Sequence, residues 1–307
     1  MYKIYALLFM IMVFWGFNVA ATKTLVMNID PLMLTAFRIG TAGITVLIIS
    51  KVMGIFRFPH VKEWSTIGFI TIFNVVGHHL FLSTGLTLTT GVNTGLILGS
   101  SPLVVMMLSI ILLKDRITRL RIAGFILGFV GIVLTTLAGP EGISSFSLGD
   151  LYIFISMSTQ AFSFILIAKL NPKLDPRLLT GFMLLLGAVA IFILSLGVEG
   201  NISQITQIFS WKLGGIFLFS AVFATAVGHM TYNYAIKQVG PAETAIFVNL
   251  NTVFSLVGSA IFLGEAIYVN HIGGLVLIFI GVFIGSGGLE YVIRKRRERL
   301  NHKRAMM

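Results

Sequence analysis

The sequence predicts an all-α membrane protein of ten transmembrane helices in two inverted five-helix repeats, with both termini cytoplasmic. Three observations carry this. Of 307 residues, 56% are hydrophobic and only 11% are charged, and the mean hydropathy is +0.97; soluble domains are about 45–50% apolar even with glycine counted. Ten apolar stretches each approach the ~20 residues that a helix needs to cross a ~30 Å hydrocarbon core. The second half of the chain also repeats the first at an offset of 150 residues, while the charges of the matching loops change sides.

The stretches follow in order. The first, 4–25, contains Trp15 and Asn18. It is longer than a signal-peptide core and no small-residue cleavage site follows it, so it reads as a retained span. The second, 32–51, carries Arg38 about two turns inside its outer end, where a charge costs no more than the ~3 kcal/mol of the bilayer centre. The third, 65–86, holds Asn74, His78 and His79, with Asn74 and His78 four apart on one helix face. The fourth, 91–113, carries a ladder of Gly91, Gly95 and Gly99, then Ser100, Ser101 and Pro102. The ladder permits close helix approach. The proline removes a backbone hydrogen bond in mid-span, and both a hinge and a static kink fit it. The fifth, 121–138, and the tenth, 271–290, carry Gly124, Gly128, Gly281 and Gly285. Between them lie 151–169 with Gln160, 178–197, 213–236 with His229, and 242–263 with Asn249 and Asn251. The longest connections, near 139–150 and 198–212, are too short for a folded domain outside the membrane.

Charge sets the orientation. The net charge of +11 would suit a nucleic-acid binder, but its distribution does not. With the amino terminus inside, the inner segments hold 19 of the 22 Lys and Arg residues, and only Lys23, Arg38 and Lys212 fall elsewhere. That bias is the positive-inside rule, and it implies no nucleic-acid partner. The tail 291–307 carries seven basic residues from Arg294 to Arg304. A stop-transfer anchor and a contact with anionic membrane lipid, at about 1 kcal/mol per basic residue, both fit it. The expected place is the cell membrane, with many passes. Zero cysteines exclude disulfides and thiolate chemistry.

The repeat divides the chain into halves of 1–139 and 147–290. At an offset of 150, His79 falls on His229, Thr94 on Thr244, Ser109 on Ser259, Asp115 on Glu265, Gly124 on Gly274 and Gly131 on Gly281, without a gap. Toward the front of each half an offset of 145 fits better, setting Pro31 on Pro176, Thr35 on Thr180 and Phe37 on Phe182. Five is odd, so the halves must enter the membrane from opposite sides. Inverted repeats of this kind build secondary transporters.

The stretches FWGFNVAATKTLV, DPLMLTAFRIG, GLTLTTGVNTGLILGSSPLVVMMLSIILLKDRIT and RIAGFILGFVGIVL, with the echo AIKQVGPAETAIFVNLNTVFSLVGSAIFLGEAI and HIGGLVLIFIGVFI, resemble the EamA family of the drug/metabolite transporter superfamily. The resemblance covers nearly the whole chain. It implies a ten-helix bundle around a central cavity, lined mainly by the first, third, fourth, sixth, eighth and ninth helices and open to one side at a time. It also implies export of amino acids, other metabolites or drugs, and Arg38 resembles a family arginine. Two positions depart from equivalence between the halves: Thr252 stands opposite Pro102, and Met183 opposite Arg38.

Polar groups at mid-span are the candidate substrate-binding residues, because hydrocarbon penalises them unless they face a cavity or a partner. They are Trp15, Asn18, Asn74, His78, His79, Ser101, Gln160, His229, Asn249 and Asn251. Interhelical hydrogen bonding is the other reading of the serine and the amides. For the histidines, gates on either side of the substrate with proton coupling stand against plain packing. Arg38 fits either a substrate carboxylate or a structural pairing. No serine, cysteine or paired-carboxylate array, no HExxH and no GxxxxGK[ST] occurs, which argues against hydrolysis and ATP-driven transport within the chain. The expectation is a secondary transporter of a small metabolite, with no catalytic residues, cofactor or metal. An intramembrane enzyme acting on lipid-linked groups, with His60 and Glu63 as its nearest acid–base candidates, and a non-transporting membrane subunit are the alternatives.

Overall fold

The structure is a computed structural model that describes residues 2–86, 88–89, 91–137, 146–170, 174–198, 202–264 and 267–293. Every regular element among them is helical. Nine helices of the described chain are long and apolar enough to cross a membrane: α1 Tyr2–Val26, α2 Pro31–Val52, α3 Val61–Leu82, α4 Asn93–Leu113, α5 Arg119–Leu137, α6 Leu148–Ala168, α7 Pro176–Val198, α8 Trp211–Val239 and α9 Pro241–Leu263. A tenth, α10 Val269–Gly285, has 17 residues. At about 1.5 Å per residue it falls short of a ~30 Å core. The apolar run that extends to 290 in the sequence is cut at Gly287, whose φ of +82° ends the helix, and helical backbone resumes only over 288–293. Glu265, part of the 139–150 connection and the basic tail from Arg294 lie outside the described residues.

Local chemistry sets the helix ends. Asp30 and Pro31 open α2, where the missing proline N–H is one that a first turn leaves free. Ser147 and Asp150 form a reciprocal cap on α6, with the Ser147 N–H donating to Asp150 at 2.8 Å and the Asp150 N–H donating to Ser147 Oγ at 3.3 Å. Glu63 accepts from the His60 N–H at 2.7 Å and from both arms of Arg57 at 2.6 Å, so this His60–Glu63 pair is a helix cap locked by an ion pair. Helix α4 is broken at Ser100, ahead of Pro102, into a first piece that ends at Gly99 and a second over Ser101–Leu108, which runs on into a π-helical turn over Ser109–Leu113.

The helices pair closely as α5 with α10, α2 with α7, α1 with α9, α4 with α6, α3 with α6 and α8 with α1. Helices α5 and α10 touch backbone to backbone. A Cβ on Gly131 would lie 2.7 Å from the Gly274 carbonyl oxygen and 2.8 Å from the Ile278 nitrogen, and one on Gly281 would lie 2.7 Å from the Gly128 Cα. Large apolar side chains such as Ile48, Ile111, Val189, Ile193 and Phe262 point outward, as they would toward lipid.

One end of the bundle gathers Arg57, Lys114, Arg121, Arg177 and Lys237, and we call it the basic end. Here Arg177 grips Asp175 at 2.7 Å. Burial alone would raise the Asp175 carboxyl, but the Arg177 guanidinium and the backbone N–H groups hold it below the ordinary carboxylate range. Lys237 donates to the Ala168 and Leu170 carbonyls at 3.1 and 2.8 Å, closing the end of α6.

Candidate functional site

The site is built around two widened helical turns. In α8 the backbone is π-helical over Phe219–Val227, and in α3 over Ile72–Gly77. Such turns displace carbonyls from the regular ladder and occur often at functional sites. In α8 the displaced groups find partners on α1 and within the helix itself, and the Thr225 hydroxyl also meets α2. The Trp15 indole N–H donates to the Ala224 carbonyl at 2.7 Å, the Thr225 hydroxyl donates to the Ser220 carbonyl at 2.7 Å, and Arg38 Nη1 donates to Thr225 Oγ1 at 3.1 Å. Gly228 leaves room for the indole, since a Cβ there would lie 3.2 Å from Trp15 Cδ1.

An aromatic wall follows. The Trp15 ring packs against His229 at 5.3 Å between centroids and against Tyr232 at 5.2 Å, and Tyr232 packs against Phe164 of α6 at 5.0 Å. Across from it, His78 and His79 meet ring to ring at 4.8 Å. Arg38, His78, His79 and His229 lie close enough for their charges to act on one another. The structure thus brings Trp15, His78, His79 and His229 into one cluster with Arg38.

Ser156 of α6 fixes His78. Its hydroxyl donates to the His78 carbonyl at 2.8 Å, which leaves Oγ as acceptor for ring Nδ1 at 2.9 Å. With the proton on Nδ1, Nε2 carries the lone pair. Ser156→Ala is expected to cost about 0.5–1.5 kcal/mol by leaving ring Nδ1 only the longer contact with the Ser156 carbonyl at 3.3 Å. In a His78→Leu background the same change should cost almost nothing. Equal losses of thermal stability in the two backgrounds would show that Ser156 serves another group.

The amides are distributed differently. Asn74 donates to Ser163 Oγ at 2.7 Å, and Ser163 donates to the Gln160 carbonyl at 2.6 Å, tying α3 to α6. The Gln160 side chain is half-buried, and Ser101 is buried at the start of the second piece of α4. Asn249 is buried, with its amide against Gly128 of α5. Asn18 and Asn251 are half-buried. Several inward polar atoms have no partner among the described residues: Oδ1 of Asn18, Asn74, Asn249 and Asn251, Arg38 Nε, His229 Nδ1 and the Tyr232 hydroxyl. Buried polar atoms are rarely left unmet, and those of Arg38, His229 and Tyr232 beside the ring cluster suit an occupant with its own donors and acceptors.

Thr225, Ser156, Ser163 and Tyr232 complete the site without having been singled out from sequence. The only signal for Tyr232 was its place in the polar run HMTYN of an otherwise apolar span. Every described carboxylate, namely Asp30, Glu63, Asp115, Asp150, Asp175, Glu243 and Glu290, lies at a helix end or in a connection. Among the described residues no group of three His, Cys, Asp or Glu side chains could hold a metal ion.

At the basic end a second network joins four segments. Arg121 of α5 pairs with Glu243 at the start of α9 and, at 3.0 Å, with Glu290 beyond α10. The Tyr5 hydroxyl of α1 lies 3.1 Å from Glu243 and 3.3 Å from the Ser286 carbonyl, and Thr118 donates to Glu290. A cleft of about 230 Å³ lined by Arg116, Arg121 and Glu243 reaches this network.

A bundle of apolar helices with a polar and aromatic cluster in its interior defines a multi-pass membrane protein. The chain belongs to the EamA-like transporter family, whose model matches residues 2–137 and 147–286. It is 30% identical to the uncharacterized transporter YyaM of Bacillus subtilis over 93% of this chain and 94% of that one. It is 25% identical to an uncharacterized transporter of Archaeoglobus fulgidus over 92% and 96% of the two chains. A protein known from its crystal structure shares the fold, with a TM-score of 0.78 at 17% identity over 92% of this chain and 96% of that one. The family and the relatives indicate a transporter rather than an enzyme.

Proposed function

We propose that this protein is a secondary transporter of the cell membrane that exports a small metabolite, such as an amino acid or a comparable amphipathic compound. It works by alternating access between two inverted five-helix halves, ten helices in all, with α10 as the shortest. The observation that carries the reading is the interior cluster of Trp15, Arg38, His78, His79 and His229, contributed by α1, α2, α3 and α8. Such a cluster is costly in hydrocarbon unless it faces a cavity or a partner, and a substrate path supplies both.

The packing supports the inverted halves. Exchanging the halves turns α5–α10 and α2–α7 into themselves, α1–α9 into α6–α4 and α3–α6 into α8–α1, and all of these pairs touch. The exchange also carries Gly124 to Gly274 and Gly131 to Gly281, and the Gly124–Gly281 and Gly131–Gly274 approaches map onto each other. The π-helical turn at Ile72–Gly77 corresponds at the same offset to 222–227 of the other.

Histidines within electrostatic reach of one another and of a guanidinium make proton-coupled passage the more specific form of the proposal. Purified protein in liposomes is expected to accumulate a radiolabelled amino acid or monocarboxylate only under an imposed pH gradient. His79→Leu and His229→Leu should abolish the accumulation while sparing downhill flux. Flux indifferent to the gradient would make the protein a facilitator and leave the histidines to packing. No flux of any compound would overturn the proposal.

A further inference from the structure

We propose that Arg38, Thr225 and His229 form a seat for a substrate carboxylate, so that the transported compound is an organic anion with an apolar or aromatic body. The inference rests on the transport reading and names its substrate class. Arg38 lies inside the bundle, where it donates to the neutral hydroxyl of Thr225, and its Nε is unmet among the described residues. A buried guanidinium without a counter-charge carries an unfavourable desolvation of several kcal/mol, as a rough scale. All described carboxylates lie at helix ends or in connections, and Glu243 and Glu290 are already committed to Arg121. An anion brought by the substrate supplies the missing charge.

The geometry gives that anion a place and a neighbourhood. Thr225 and His229 are four apart on α8, and the unmet Nδ1 of His229 and Nε of Arg38 are available there. Trp15, Tyr232 and Phe164 continue from His229 as a wall of stacked rings, suited to an apolar body. A planar guanidinium can hold a carboxylate through two parallel bonds, whereas a substrate amine would meet the same charge as repulsion.

The test uses Trp15 as reporter in a Trp64→Phe, Trp211→Phe background, the full chain otherwise unchanged and purified in detergent. Phenylacetate, phenylacetamide and phenethylammonium share one body and differ only at the polar end. Phenylacetate is expected to change the Trp15 emission saturably, the amide to bind at least about tenfold more weakly, a difference of 1.4 kcal/mol, and the ammonium not to saturate. Arg38→Met should bring the acid and the amide to one affinity, and Arg38→Lys should keep part of the preference. Thr225→Val, which retains the guanidinium but frees its orientation, should weaken the acid several-fold and leave the amide unchanged, and it serves if Arg38→Met fails to fold. Equal binding of acid and amide by the starting protein, or an acid preference that survives Arg38→Met, would overturn the seat. Chloride or phosphate saturating the signal as phenylacetate does would overturn a substrate role for it. Carboxylate-selective binding without liposome flux would leave the seat standing and refute the transport reading instead.

Discussion

Replacing Arg121 by Met is expected to raise the labelling rate of a cysteine placed at Ala242 by about tenfold, equivalent to 1.4 kcal/mol lost from the closed arrangement of the basic end. Arg121 holds Glu243 and Glu290 together, and Glu243 in turn meets Tyr5, so one side chain ties α5, α1, the start of α9 and the segment after α10. Without it two carboxylates face each other with no cation between them. The side chains remain 25%, 17% and 28% exposed, so water screens part of the loss. A fully buried pair would lose about 3–5 kcal/mol on removal of one partner, and an exposed pair under about 1; the expected value falls between these. Ala242 is 6% exposed and borders the cleft that reaches the network. The chain has no cysteine of its own, so a charged methanethiosulfonate would report that position alone. Glu290→Gln, which removes one arm, should give a smaller rise. A rate unchanged by Arg121→Met would mean that something other than this network closes the basic end.

The largest loss of stability is expected at the glycine seam. Gly131→Val would drive side-chain atoms into the Gly274 carbonyl and the Ile278 nitrogen, which are backbone and have no rotamer to escape into. Overpacking of a close-packed interior costs about 1–3 kcal/mol where side chains can adjust, and here about 3 or more is expected. At roughly 2–4 °C per kcal/mol, the apparent melting temperature in detergent should fall by about 6–12 °C. Gly215→Ala is the matched control, since nothing lies within 4 Å of a Cβ there. It should hold or slightly raise the melting temperature, because alanine favours a helix over glycine. A Gly131→Val protein that melts with the parent would show that the seam is looser than drawn.

The helices were legible because length and apolar composition follow from the thickness of a bilayer. The end of α10 was not. Gly285, Ser286, Gly287 and Gly288 are a helix-stop signal, but apolar residues resume at Leu289 and hide it, and the φ of +82° at Gly287 shows that the helix ends there. In the site, Trp15, His78, His79 and His229 stood out because their polarity contradicts their depth, and the structure gathers them. Thr225, Ser156 and Ser163 did not, because a hydroxyl can satisfy itself on its own helix and so carries no signal of depth. Ser101 and Asn251, equivalent by repeat, gave a reading in sequence that the geometry neither joins to the cluster nor replaces.

The widened turns also set direction. A π turn carries one more residue than the α turn it replaces, and one residue of helix is about 100° of rotation and 1.5 Å of rise. Everything beyond the insertion is therefore rotated like a screw given an extra part-turn. His78 and His79 follow one such turn directly, and His229 follows the other. Their aim belongs to the preceding backbone as much as to their own positions in the chain. A version shorter by one residue within 72–77 would keep the same histidines at almost the same depth and present them to a different neighbour. The same histidines would then line a different interior.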